Sequence, residues 1–213
     1  ERAGYNRYNP GDQDRNLLTN SKTKQAKGNY CIINFDVSDM KRNLFVDMSK
    51  QEDNLHGERL KVYLISGVAS EGIDFGNVRE IHILEPWHNM SRIDQVVGRG
   101  VRNHSHAKLP KSDRNTTIFM HCNVLAKKPL IESIDFRMYR KAMIKQIQMA
   151  KIERILKESS IDCNINKDDM FFDPSEHTST IVTSQHKVIE DFKGGDFDYS
   201  KNCQYDKCAY ACV

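Results

Sequence analysis

Four polar side chains that can bind phosphate recur at helical spacing between positions 92 and 102. At about 100° per residue, one side of a predicted helix carries Arg92, Gln95, Arg99 and Arg102. The opposite, apolar side can pack on a sheet and carries Ile93, Val96, Val97 and Val101. Guanidinium groups one turn apart can clamp phosphoryl oxygens with a planar fork that lysine lacks. A merely solvated polar face shows the same spacing, so the arginines alone leave both interpretations open.

The elements that would position this helix are two short strands and a glycine turn. Aliphatic runs at 62–66 and 79–84 predict buried parallel strands. Between them lies Glu71-Gly72-Ile73-Asp74, where glycine can take backbone angles that other residues rarely adopt. The sequence therefore predicts Asp74 near the end of a strand, where open α/β sheets bind their ligands. Ser91, followed three residues later by Asp94, is the predicted N-cap of the helix.

Two motifs in this region resemble those of a known family. S-x-x-x-x-E-G-I-D, from Ser66 to Asp74, and Q-x-x-G-R-x-x-R, from Gln95 to Arg102, resemble motifs V and VI of superfamily 2 helicases. These are RecA-like, nucleic-acid-dependent NTPases. The blocks 71–86, 98–110 and 133–166, in that order, look like the helicase-type NTPases of nucleocytoplasmic large DNA viruses, the group of the poxvirus early transcription factor small subunit and nucleoside triphosphatase. Gly100 departs from the pattern, because a better helix former such as alanine is expected there.

The resemblance implies roles for eight residues. Arg99 and Arg102 would reach the γ-phosphate of ATP across a cleft, with Gln95 orienting that contact. Glu71, Gly72 and Asp74 would couple the nucleotide to nucleic acid, with Asp74 near the ribose. Ser66 and Gly67 would touch the phosphodiester backbone. The chain has no G-x-x-x-x-G-K-[ST] and no DExx box, so ATP and Mg²⁺ would be held mainly by another lobe.

The predicted fold is α/β: a RecA-like second helicase lobe with a parallel sheet, then a long helix and a cysteine-containing tail. The proposed domains are 1–125 for an N-terminally truncated lobe, 126–170 for the helical extension, and 171–213 for an acidic, partly disordered tail. The long helix should run from Ile134 to about Ser159 after a cap at Ser133. Its inward stripe is predicted to include Tyr139, Met143, Ile147 and Ala150. Its basic face is either solvated or follows nucleic acid or a partner.

Charge and cysteine usage constrain the partners. Net charge is +3, but residues 92–114 hold six cations against two acids, and residues 159–213 hold five lysines against ten acids. A basic middle suits a phosphate-rich partner. Six cysteines without a secretory signal indicate a reducing compartment, with Cys31, Cys122 and Cys163 as buried thiols. Cys203, Cys208 and Cys212 are candidate zinc ligands with Cys163, His177 or His186 as the fourth; free thiols are the alternative.

Two functions remain open from the sequence. The first is the C-terminal lobe of a viral ATP-dependent DNA helicase or translocase that acts in transcription and is inactive alone. The second is a non-catalytic module, derived from such a lobe, that binds nucleic acid or polymerase. Expected partners are DNA or RNA, the missing N-terminal RecA-like lobe and the viral RNA polymerase; the expected location is the virion and host cytoplasm. No apolar run approaches the ~18 residues of a membrane span, so no membrane partner is predicted.

Overall fold

The computed structural model describes residues 4–8, 28–67, 72–124, 132–174 and 178–213. Its first sheet is three-stranded and parallel, in the order β1 (Tyr5–Arg7), β2 (Gly28–Ile33) and β3 (Val62–Ile65). The register between β2 and β3 runs from Tyr30 opposite Val62 to Ile33 opposite Ile65. β-Branched and aromatic residues suit this pleated, partly buried surface. The predicted α/β class with a parallel sheet is therefore confirmed.

A second sheet pairs β4 (Glu80–Ile83) with β5 (Thr117–Met120). The Thr117 N–H donates to the Arg79 carbonyl at 2.9 Å, and the His121 N–H donates to the Ile83 carbonyl at 2.9 Å. Both bonds advance in the same direction along the two strands, so this pair is also parallel. The sequence predicted one continuous sheet; among the described residues these strands form two.

The chain divides into two compact units, each built from two segments. The first unit is Glu1–Ile81 with Val96–Thr117, and the second is His82–Gln95 with Ile118–Val213. In the first unit, helix α1 (Asp39–Lys50) directs Phe45 and Met48 into the core. Cys31 and Ile33 of β2 belong to the same core, and so does Tyr8, which directly follows β1. Helix burial against a sheet is the usual way for both elements to cover their apolar faces.

One buried amide positions β3 in the first unit. Asn54, which is 5% exposed, donates to the carbonyls of Met48 and Leu60, both at 3.1 Å. Its amide oxygen accepts from the N–H groups of Arg59 and Leu60, both at 2.9 Å. These bonds use the full side-chain capacity of asparagine and join the end of α1 to the residues before β3.

Helix α3 (Ile134–Glu158) begins where the sequence predicted, because the Ser133 hydroxyl accepts from the Phe136 N–H at 3.2 Å. The predicted inward stripe is correct for Ala150 and wrong for Met143 and Ile147. Met143 is 42% exposed and Ile147 is 39% exposed, whereas the buried residues of the helix are Ala142 and Ala150. The apolar side chains are spread around the helix, and the part of its surface that is covered includes the small residues Ala142 and Ala150. Most of the large apolar side chains therefore stay exposed. No helix among the described residues is long and apolar enough to span a membrane.

The described part of the C-terminal region contains a short helix and a β-hairpin. Helix α4 (Ile161–Ile165) follows α3, and β6 (Thr178–Val182) pairs with β7 (Val188–Lys193) in an antiparallel hairpin. The hairpin lies within the tail of 171–213 for which the sequence predicted partial disorder. The hairpin could not be foreseen because its strands show weak alternation, with β7 exposed at most positions.

Two disulfides replace the predicted zinc site. Cys163 is bonded to Cys212, and Cys203 is bonded to Cys208. Zinc binds thiolates, so sulfur atoms bonded in pairs do not fit that role. The part of the chain that the structure describes holds no group of three metal-binding side chains, and His177 lies outside it.

The two remaining cysteines divide between core and surface. Cys31 is a buried thiol, as predicted, whereas Cys122 is exposed. The prediction of buried thiols is therefore correct for Cys31 and wrong for Cys122 and for the disulfide-bonded Cys163.

Candidate functional site

The loop after β3 directs one carboxylate outward between two buried side chains. Gly72 has φ of +73°, in the left-handed region that the sequence predicted for it. Ile73 is 4% exposed and Phe75 is 6% exposed, and both belong to the core of the first unit. Asp74 lies between them, with its side chain 40% exposed. Burial of both neighbours therefore fixes the position of the Asp74 carboxylate.

A main-chain bond joins this loop to the end of helix α2 (Met90–Gly100). The Phe75 N–H donates to the Arg99 carbonyl at 3.0 Å. Because α2 already includes Met90, the prediction that Ser91 caps it is wrong. Ile93 is 5% exposed, which agrees with the predicted apolar side of the helix. The loop that carries Asp74 and the end of the helix that carries Arg99 therefore lie next to each other.

Both candidate arginines contact Asp74. Arg102 Nη1 lies 2.6 Å from Asp74 Oδ2, and Arg99 Nη1 lies 3.6 Å from Asp74 Oδ1. Arg102 Nε also donates to the Gly98 carbonyl at 3.3 Å. The Arg99 side chain is 25% exposed and that of Arg102 is 50% exposed. The structure thus brings together three of the predicted residues around a single carboxylate.

One carboxylate does not neutralise two guanidinium groups. The local charge of this triad is therefore positive. Two of its polar atoms, Asp74 Oδ1 and Arg99 Nε, are buried and have no hydrogen-bond partner among the described residues. A buried polar atom without a partner is costly, and functional sites are where such costs are found. The arrangement can hold an oxyanion, because guanidinium groups bind carboxylate and phosphate oxygens with the same fork.

The other predicted site residues lie outside the triad. Gln95 is exposed on α2, one turn before Arg99. Ser66 and Gly67 directly follow β3, where the Ser66 N–H donates to the Ile33 carbonyl at 3.0 Å. The Ser66 hydroxyl oxygen is buried and has no partner in the described part of the chain. Glu71 falls outside the described residues.

Arg92 shares the polar side of α2 but has a different environment. Its guanidinium lies over the Trp87 ring, 4.6 Å from the ring centroid. A cation over an indole face is a favourable pair. The polar side of the helix therefore divides into a Trp87 contact at its start and Asp74 contacts at its end.

Sequence reasoning missed two lysines near Asp74. Lys50 ends α1 and Lys108 lies beyond α2, and both line a cavity that Asp74 also lines. They are 58 residues apart, and the Lys108 ammonium donates to the Lys50 carbonyl at 3.1 Å. No local motif joins them, so the fold alone reveals that they are neighbours.

Comparison with known proteins finds similar viral proteins. The chain is 33% identical over 161 residues to a protein of Invertebrate iridescent virus 3 named as a helicase, 087L, covering 75% of this chain and 14% of that protein. It is 31% identical over 65% of its length to a protein of Acanthamoeba polyphaga mimivirus named as an ATP-dependent RNA helicase, of which it covers 18%. It is 27% identical over 71% of its length to a termination factor NPH-I homolog of African swine fever virus, of which it covers 22%.

These similarities cover most of the chain but a small part of each relative. The chain spans 14%, 18% and 22% of the length of these three relatives. No family profile matches the chain, and no solved structure matches it significantly.

Proposed function

From its homology to viral helicases of large DNA viruses, we propose that the chain is the second RecA-like lobe of a nucleic-acid-dependent ATPase. In this proposal Arg99 and Arg102 contact the γ-phosphate of ATP that is held, with Mg²⁺, mainly by another lobe. Asp74 and Gly72 adjoin the nucleotide, and Gln95 orients the arginines. Ser66 and Gly67 contact the backbone of DNA or RNA.

The observation that carries the proposal is the convergence of Arg99 and Arg102 on one anion. Their guanidinium groups both approach the Asp74 carboxylate, although Asp74 is 28 residues away from Arg102 in the chain. A transferring phosphoryl group spreads negative charge over three oxygens, and arginines placed at those oxygens lower the barrier. A module that only bound nucleic acid would not require two arginines that reach the same point.

The finer assignment concerns the process in which the lobe acts. The African swine fever virus relative is named as a termination factor homolog and the mimivirus relative as an RNA helicase. We therefore propose that the chain acts in viral transcription, in the virion and host cytoplasm, with the viral RNA polymerase as a partner and DNA or RNA as the bound nucleic acid.

The experiment measures nucleic-acid-stimulated ATP hydrolysis by the full-length protein. Arg99→Ala or Arg102→Ala should abolish turnover, because arginines in this role contribute on the order of 10³ to 10⁵ in rate. Binding of ATP and DNA should stay within several-fold of the unmodified protein. Arg102→Lys should restore little activity, since an ammonium lacks the bidentate fork. The isolated 213-residue chain should not hydrolyse ATP, because it lacks a phosphate-binding loop.

Arg92→Ala is the matched control. It removes the same charge from the same helix but contacts Trp87, so it should leave most of the turnover. If Arg92→Ala reduces turnover as much as Arg99→Ala, and both variants fold, the helix acts as a general basic surface. That result would favour the non-catalytic nucleic-acid-binding or polymerase-binding module over the proposed function.

A further inference from the structure

A cavity of about 260 Å³ lies in the first unit beside Asp74 and Arg102. Its lining carries more positive than negative charge. The charged and titratable groups are Lys50, Asp74, Arg102, His104 and Lys108. The lining residues therefore include three permanent cations and one carboxylate, before any charge on His104 is counted.

The walls of this cavity are fixed by hydrogen bonds between distant segments. The Asn77 N–H donates to the Ser105 carbonyl at 2.9 Å, and the Asn77 amide donates to the Ser49 carbonyl at 3.0 Å. The Arg102 N–H donates to the Ser105 hydroxyl at 3.2 Å. These bonds join the segment after Asp74, the segment after α2 and the end of α1. The segments that carry the cations are consequently held together by hydrogen bonds.

The ion pair that Lys108 makes with a carboxylate is weak. Lys108 Nζ is 3.7 Å from Glu52, a carboxylate whose side chain is 82% exposed. An exposed pair at that distance contributes little. The ammonium of Lys108 has three donors, and one of them reaches the Lys50 carbonyl at 3.1 Å. That bond places the Lys108 ammonium at the end of α1, beside the main chain of Lys50.

We propose that this cavity binds a phosphate group through Lys50, Lys108 and Arg102, and that Asp74 competes with the phosphate for Arg102. Compact ammonium charges with one planar guanidinium suit a tetrahedral oxyanion. Asp74 Oδ2, at 2.6 Å from Arg102 Nη1, occupies the position that a phosphate oxygen would take. The inference rests on the proposed function for the source of the phosphate, which is a nucleotide or the nucleic-acid backbone.

Calorimetric titration of the 213-residue chain at low salt tests the site. The probes are inorganic tripolyphosphate, ATP and a short single-stranded DNA. Lys50→Gln/Lys108→Gln should weaken tripolyphosphate binding at least about tenfold, since it removes two of the three cations proposed to contact the phosphate. The control Lys41→Gln/Lys111→Gln removes the same charge from exposed positions that do not line the cavity, and should change affinity less than about twofold.

Asp74→Asn tests the competition. It should strengthen tripolyphosphate binding, because it removes the carboxylate that pairs with Arg102. Unchanged or weaker binding of tripolyphosphate, with the variant folded by thermal melting, would refute the competition. An equal loss of tripolyphosphate affinity in the two double lysine variants, or no binding of any probe, would refute the proposal that the cavity binds phosphate.

The remaining probes identify the source of the phosphate. If Lys50→Gln/Lys108→Gln weakens the binding of ATP but not that of DNA, the phosphate belongs to a nucleotide. If the same double substitution weakens the binding of DNA, and lowers the slope of log affinity against log salt concentration by about one unit per lost contact, the phosphate belongs to the nucleic-acid backbone. None of these measurements uses turnover, so the inference can fail while the proposed function holds, and the reverse.

Discussion

At the scale of single residues, Asp74 decides how the two arginines are presented. Its side chain is 40% exposed, so its pairs with Arg99 and Arg102 contribute at most about 1 kcal/mol to stability. Their importance is electrostatic and geometric instead. A carboxylate at this point keeps both guanidinium groups directed to one place, and it can be exchanged for a stronger anion.

Cysteine chemistry gives a prediction at the same scale. Cys31 is 1% exposed, and burial raises the pKa of its thiol from 9.0 to about 12. At pH 8 a rise of three pKa units lowers the reactive thiolate fraction about a thousandfold. Cys122 is exposed, so Ellman's reagent should titrate one thiol in the native chain and two after unfolding without reductant. Cys122→Ser should remove the native signal. A native signal that survives in Cys122→Ser would show that the core around Cys31 opens readily.

At the scale of elements, sequence periodicity predicted most of the helices and strands near the site. Aliphatic runs predicted β3 and β4, and the 3.6-residue period predicted α2 and the extent of α3. Periodicity could not show that Asp74 pairs with Arg102, because that contact depends on how the loop meets the helix. It also could not show how little of α3 is covered, since exposure depends on what packs against a helix.

Gly100 and Gly98 provide an element-scale prediction about the packing of α2. A Cβ at Gly100 would lie 3.1 Å from Ile81 Cδ1 and 3.3 Å from Val78 Cβ, whereas nothing lies within 4 Å of one at Gly98. The close approach explains why Gly100 replaces a better helix former. Gly98→Ala should raise the free energy of unfolding by up to about 1 kcal/mol. Gly100→Ala should gain less or lose stability, because Val78 and Ile81 must shift.

Urea unfolding of the two glycine variants and the unmodified chain, compared at equal slope, measures this difference. Equal stabilisation by both substitutions would show that α2 has room for a Cβ at Gly100. Close packing against Val78 and Ile81 would then not explain why glycine stands at this position.

At the scale of the whole molecule, long-range covalent links and the division into units were the least predictable features. The two units are each made of separate segments, which no composition change along the sequence marks. The disulfides join Cys163 to Cys212 and Cys203 to Cys208, whereas composition indicated thiols or zinc ligands. Cysteine positions alone leave pairing undetermined. These features emerge only when distant segments are placed together.

The C-terminal tail is attached to the rest of the second unit by noncovalent contacts and by a disulfide. The Ala211 N–H donates to Glu158 Oε1 and the Val213 N–H donates to the Glu158 carbonyl, both at 3.0 Å. The Arg154 guanidinium lies 4.5 Å from the centroid of the Tyr210 ring. The Cys163–Cys212 disulfide, with a sequence separation of 49, adds a covalent link at the same place. The tail is therefore docked by contacts that remain when the disulfides are reduced.

Reduction should consequently loosen the second unit without unfolding the first. In the chain-entropy account, the link with a separation of 49 contributes about 4 kcal/mol and the link with a separation of 5 about 2 kcal/mol. Hydrogen exchange after dithiothreitol should rise in residues 197–213 and stay unchanged in β2 and α1, since the one cysteine there, Cys31, is a free thiol. Cys163→Ser/Cys212→Ser should reproduce more of the effect than Cys203→Ser/Cys208→Ser. Equal increases of exchange in β2 and in the tail would mean that the disulfides stabilise the molecule as one cooperative body.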